Sequence, residues 1–110
     1  MITLEDLKTR CENEGFKYSY GTFKEEVSVP FLVASGQGTD TFGADDIVYF
    51  STTEIVLVLV YKEKNIENEN KIEKNILKDV YWRKSDEEYL KDEKVWQICY
   101  FFKVLNNGGN

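Results

Sequence analysis

The sequence predicts an α+β fold: a mainly antiparallel sheet of about five to six strands with two helices packed on one face, in the order α-β-β-β-β-α-β-β. Three observations carry that expectation. Apolar residues recur at helical spacing twice, at the N-terminus and again past the middle of the chain. Between and after those stretches they alternate with a period of two, or form short runs bounded by glycine, proline and polar turns. The chain has 110 residues of which 42% are hydrophobic, enough for one core and not for two. A single domain is therefore expected over residues 1–105, with 106–110, NNGGN, as a flexible tail.

The first helix has a marked start. Thr3 is placed as N-cap with Asp6 at N3, a short version of the capping box, and Ile2 and Leu7 stand where a hydrophobic staple needs them. Leu4, Leu7 and Cys11 form its apolar stripe, and Gly15 fits the position just past the end, where positive φ is needed. Phe16 to Tyr20 carries aromatics at alternate positions and reads as a strand. Thr22 to Val29 is a connection, and Pro30 opens a second strand, Phe31 to Ser35, where a missing N–H is tolerated.

Ser35 to Asp46, SGQGTDTFGADD, with three glycines and three aspartates, reads as a long loop. Ile47 to Ser51 and Thr53 to Tyr61 are the next strands. In the latter, Ile55, Leu57, Leu59 and Tyr61 point one way and Val56, Val58 and Val60 the other, so both faces ask to be covered. Ile66, Ile72, Ile76, Leu77 and Val80 set a second helix over about Glu67 to Asp79. Val80 to Ser85 suits a short edge strand, and Asp86 to Lys94 is a charged excursion. Val95 to Val104 is the last strand, with Trp96, Ile98, Tyr100, Phe102 and Val104 on one face. Two helices cover one sheet face, so the valine face is expected to associate.

Composition narrows the chemistry. Acids outnumber bases 20 to 14, which argues against a general nucleic-acid binder. Residues 1–61 hold ten acids and four bases, residues 62–110 ten of each, and no base lies between Lys24 and Lys62. The chain contains no histidine, so histidine-based triads, acid–base catalysis and metal ligation are excluded. Asp40, Asp45 and Asp46 do not have the offsets of a calcium loop and read as solvated carboxylates. Gly36-Gln37-Gly38 lacks the third glycine and following helix of a nucleotide loop and reads as a mobile hairpin loop. Cys11 and Cys99 read as reduced, half-buried thiols of a cytosolic protein. The aromatic set, Tyr18 and Tyr100 among it, sits in acidic surroundings and reads as packing, not base stacking. The longest apolar run, IVLVLVY, is far short of the roughly 20 residues of a membrane helix. No catalytic, metal or cofactor site is expected, nor a small-molecule substrate.

The order of features resembles a family of small tailed-phage and prophage tail-completion proteins, the tail terminators and head–tail joining proteins. The likeness runs through MITLEDLKTRCENEG, FKYSYGTF, VPFLVASGQGTDTFGADDIVYF, EIVLVLVYKEK, IENENKIEKNILKD and DEEYLKDEKVWQICYFF, with FGADDIVYF the most distinctive piece. SGQGTDT and the NNGGN tail depart from the pattern. The resemblance implies a non-enzymatic virion part, assembled in the bacterial host cytoplasm as a ring, with six subunits the expected number. Its partners would be copies of itself and other tail or head-connector proteins. DNA would pass through without specific binding, along a channel lined by the basic-free stretch. Asp40, Phe42, Asp45, Asp46 and Tyr49 are the expected subunit or partner contacts. The alternative, from the acidic balance, is a small inhibitor or antitoxin-like protein that mimics nucleic acid.

Overall fold

The structure, a computed structural model, describes residues 1–44 and 47–106, with the backbone alone over 40–44 and 47–50. It has the α+β architecture expected. The helix α1 spans Leu4–Asn13, and the strands are β1 (Lys17–Tyr20), β2 (Phe31–Ala44), β3 (Ile47–Tyr61), β4 (Arg83–Lys84), β5 (Glu88–Leu90) and β6 (Val95–Leu105). Helix α2 (Ile66–Lys71) and a π-helical turn (Ile72–Ile76) lie between β3 and β4. The sheet runs β1-β2-β3-β6, and β6 carries both β4 and β5 on its outer edge. Only β1 and β2 are parallel; every other pair is antiparallel.

Four elements differ from the sequence reading. The stretch from Ser35 is strand as far as Ala44, not loop: its backbone pairs residue by residue with β3, from Gly38 opposite Glu54 to Ala44 opposite Ile47. Glycine and aspartate disfavour strands only weakly, and the ladder bonds that this stretch makes to β3 outweigh them. Gly36 and Gly38 flank a bulge there; Gly38 takes φ 149°, and a Cβ on Gly36 would meet the Tyr20 hydroxyl at 2.8 Å. The second difference is that Ile47–Ser51 and Thr53–Tyr61 are one strand, β3, so the order is α-β-β-β-α-β-β-β. The third is β5, hidden in the charged excursion, where Tyr89 pairs with Trp96 and Leu90 with Val95.

The fourth is the second helix, which starts near the expected place but widens into the π turn, with Leu77 N–H donating to Ile72 C=O at 2.8 Å. In a straight α-helix Leu77 would lie about 140° round from Ile72; the wider turn brings it to about 50°. Ile72, Ile76 and Leu77 are all fully buried as a result. The N-terminal expectations hold. Thr3 and Asp6 exchange the two capping-box bonds, Thr3 Oγ1 accepting from Asp6 N–H at 3.1 Å and Asp6 Oδ2 from Thr3 N–H at 3.0 Å. Gly15 takes φ 85°.

The core lies between the helices and one sheet face. Leu7 and Cys11 of α1 and Ile72, Ile76 and Leu77 meet Leu32, Ile55, Leu57, Leu59, Ile98, Tyr100, Phe102 and Val104 from the strands. Arg10 ties the two helical segments, donating to Asp79 Oδ1 at 2.7 Å, Asp79 Oδ2 at 3.1 Å and the Ile76 carbonyl at 3.0 Å. That guanidinium holds the Asp79 carboxyl down at about 2. No helix among the described residues is long and apolar enough to cross a membrane.

Two stability predictions follow from this packing. Leu57→Ala, which empties a fully buried site on the central strand, lowers unfolding free energy by about 3 kcal/mol, measured by urea denaturation. Lys94 closes the β5–β6 turn at φ 58°, a left-handed conformation that glycine adopts without strain. Lys94→Gly is expected to raise stability by about 0.5 kcal/mol after the entropy of glycine is counted, measured the same way.

Candidate interaction surface

Side chains alternate across the sheet, so every strand that feeds the core also presents an outer face. On that face the register lays out three rows. The first reads Lys17, Phe31, Val60, Gln97, Glu88 from β1 to β5. The second reads Ser19, Val33, Val58, Cys99, with Ser85 completing it through bonds of 2.8 and 2.9 Å with the Cys99 backbone. The third reads Ser35, Val56, Phe101, Arg83.

The centre of this grid is apolar and its margin polar, the anatomy of a protein–protein contact. Phe31, Val33, Val58, Val60 and Phe101 are half-buried, against complete burial of their helix-side neighbours. No helix among the described residues lies over them; the core cluster contains neither Val56 nor Val95. Phe23 packs edge-on against Phe31 at 5.2 Å and widens the apolar area. Arg83 stacks over Phe101 at 4.3 Å, which fixes one corner of the margin. At the near end the face deepens into a groove of about 940 Å³, floored by Phe31, Val60 and Val95 and walled by Val27, Val29 and Leu90.

The far end differs in kind. β1 pairs with β2 only up to Ala34, and β6 pairs with β3 only from Thr52 onward. Beyond those limits, among the described residues, β2 and β3 pair with each other alone save for Asn106 N–H, which donates to the Ser51 carbonyl at 3.0 Å; the two strands form an arm running from the bulge to Ala44 and Ile47. The molecule measures 51 × 27 × 26 Å, and a 15-residue strand at about 3.4 Å per residue accounts for the long axis. A lone two-stranded ribbon is marginally stable in water, and both its edges offer unpaired backbone groups.

Three of the five expected contact residues have their backbone in this arm. Asp40, Phe42 and Tyr49 have their backbone in β2 and β3, with side chains outside the described residues. Asp45 and Asp46 lie outside the described residues altogether. The expected tail over 106–110 does so too, save Asn106, whose side chain bonds Ser51 and Thr53. The outer face itself was legible in part, through Val56, Val58 and Val60; its corners, Lys17, Arg83 and Glu88, were not, because only strand register brings them to one surface.

The polar chemistry of the molecule is concentrated on the helix side. Glu69, 5% exposed, lies 2.8 Å from both Lys64 and Lys84. Lys84 also reaches Glu73 at 2.7 Å, and Lys64 reaches Glu87 at 2.5 Å. The Tyr100 hydroxyl donates to Glu73 at 2.7 Å and the Tyr61 hydroxyl to Glu87 at 2.5 Å. Burial pushes both tyrosines up, and the carboxylates that accept from them push the same way. Burial works to raise Glu69, but the two ammonium groups outweigh it and hold the carboxyl below its ordinary range. Every member faces an opposite partner, which suits a brace between the second helix and β4 rather than proton transfer. The Cys11 thiol, buried, is pushed up to about 12, and burial also raises Cys99, so neither is an activated nucleophile. Among the described residues, no group of three potential metal-ligating side chains converges.

No protein-family model matches the chain, and no curated protein matches it either.

The brace predicts an acid-sensitive stability. A carboxyl whose folded value is depressed contributes fully above its ordinary pKa of 4.5 and loses that contribution as pH falls through the lower folded value. Glu69→Gln is therefore less stable than the parent at neutral pH, by about 2 kcal/mol for a nearly buried doubly bonded charge. The difference shrinks below about pH 4; parallel thermal melts between neutral pH and acid measure it.

Proposed function

We propose that the chain is a structural subunit of a tailed-phage or prophage virion, a tail terminator or head–tail joining protein that works by contact and not by catalysis. One observation carries the reading: the β2–β3 arm, which runs past the ends of β1 and β6 with no third strand along it among the described residues. A free-standing subunit gains nothing from an arm whose backbone groups are left to water at both edges. In a ring, each arm lies along the neighbouring subunit or the tube protein, and the edges are paired there.

The charge pattern supports the same placement. The arm lies within the basic-free stretch between Lys24 and Lys62, whose sequence includes Asp40, Asp45 and Asp46. An acidic ring lining repels phosphate and lets DNA pass without gripping it. The ring of six and the assembly site in the host cytoplasm come with the resemblance of the sequence. The partners are further copies of the chain and the tube or connector proteins that it caps or joins.

Phe42→Ala and Asp45→Ala test the reading. Phe42 has its backbone in the arm, past the ends of β1 and β6, and circular dichroism and thermal melts check that both variants fold like the parent. Complementation of the deleted gene should then give particles with unfinished or unjoined tails, scored by negative-stain electron microscopy. Virions of normal yield and morphology from both variants would sink the proposal.

A further inference from the structure

The outer sheet face has a symmetry that the arm does not use. Its middle column, Val56, Val58 and Val60, belongs to β3, which is also the middle strand of the five-column grid. The first row ends in opposite charges, Lys17 on β1 and Glu88 on β5, and both are exposed. The second row ends in serines, Ser19 and Ser85.

We propose that a second copy of this chain packs on the outer face, about a two-fold axis that lies between the two sheets and runs along β3. Aligned sheet packing of this kind is common, with the strands of the two layers within about 30°. The operation sets β1 of one copy over β5 and β4 of the other, β2 over β6, and β3 over itself. Lys17 then faces Glu88 of the second copy, and the pair occurs twice. Val33 meets Cys99, the serines meet at the margins, and the β3 valines form a dry seam along the axis. At the far end the two Glu54 side chains approach, each beside its register neighbour Lys103.

The size of the face sets the strength. Five columns at about 4.8 Å and three rows at about 6.7 Å give a footprint on the order of 500 Å². Two such faces bury about 1,000 Å² in all, the floor for a specific contact and the range of weak ones. A micromolar dimer is the expected result. This contact uses the sheet face and not the arm, so it stands or falls independently of the virion reading.

Charge reversal tests it. Within one chain Lys17 and Glu88 are four strands apart, about 19 Å, so they do not compensate each other internally. Sedimentation equilibrium from about 1 to 200 µM should show a monomer–dimer equilibrium for the parent chain. Lys17→Glu alone, and Glu88→Lys alone, should each weaken it about tenfold by placing like charges face to face. The double variant K17E/E88K should return to within about threefold of the parent. Val58→Asp should leave only monomer, and circular dichroism would show whether it still folds; the charge-reversal set, at exposed positions, does not depend on it. A parent chain monomeric across the range overturns the proposal, as does a double variant that stays as weak as the singles combined. Larger oligomers indifferent to all three charge variants would also overturn it, and place association elsewhere.

Discussion

The ladder on β3 is the constraint from which the rest of the structure follows. β3 pairs with β2 from Ile47 to Val60 and with β6 from Thr52 to Tyr61, so over its second half the strand is laddered on both sides before any side chain is considered. Because neighbouring side chains on a strand point to opposite faces, the run IVLVLVY must present apolar residues to both sides at once. Two short helical segments can cover one of them. Ile55, Leu57, Leu59 and Tyr61 take that cover and are buried; Val58 and Val60 are left half-buried on a face with a polar margin. The half-buried apolar outer face is therefore a consequence of where the central strand sits and how few helices the chain has.

The helix side is closed by charge as well as by packing. Lys64 and Lys84 converge on Glu69, and Glu73 and Glu87 draw in the hydroxyls of Tyr100 and Tyr61. These groups connect the second helix to β4 and to the end of β3, where the apolar contacts thin out. The π turn serves the same docking by rotating Leu77 onto the sheet. A helical segment this short is unstable alone; it is held by a buried stripe and by ion pairs to Lys64 and to Lys84 of β4.

The arm follows a different rule from the domain. Its two strands pair with each other through a register shift between Phe42 and Gly43, and beyond the limits of β1 and β6 no third strand lies along it among the described residues. Its residues include the glycines and aspartates that suggested a loop, and ladder pairing with β3 is what makes them strand. The edges of such a ribbon offer unpaired backbone groups, which is why the proposed virion role rests on the arm.

The sequence alone determined the class of fold, the capped first helix, the central strand and its two apolar faces, the last strand, and the absence of histidine chemistry. Each of these is local: a cap is set by residues three apart, a strand face by residues two apart. Tertiary structure alone decided that Ser35–Ala44 is strand, that the charged excursion holds β5, that the second helix widens, and that Lys17 and Glu88 stand at opposite ends of one row. Those outcomes depend on register, which pairs residues dozens of positions apart and leaves no periodic mark in either segment.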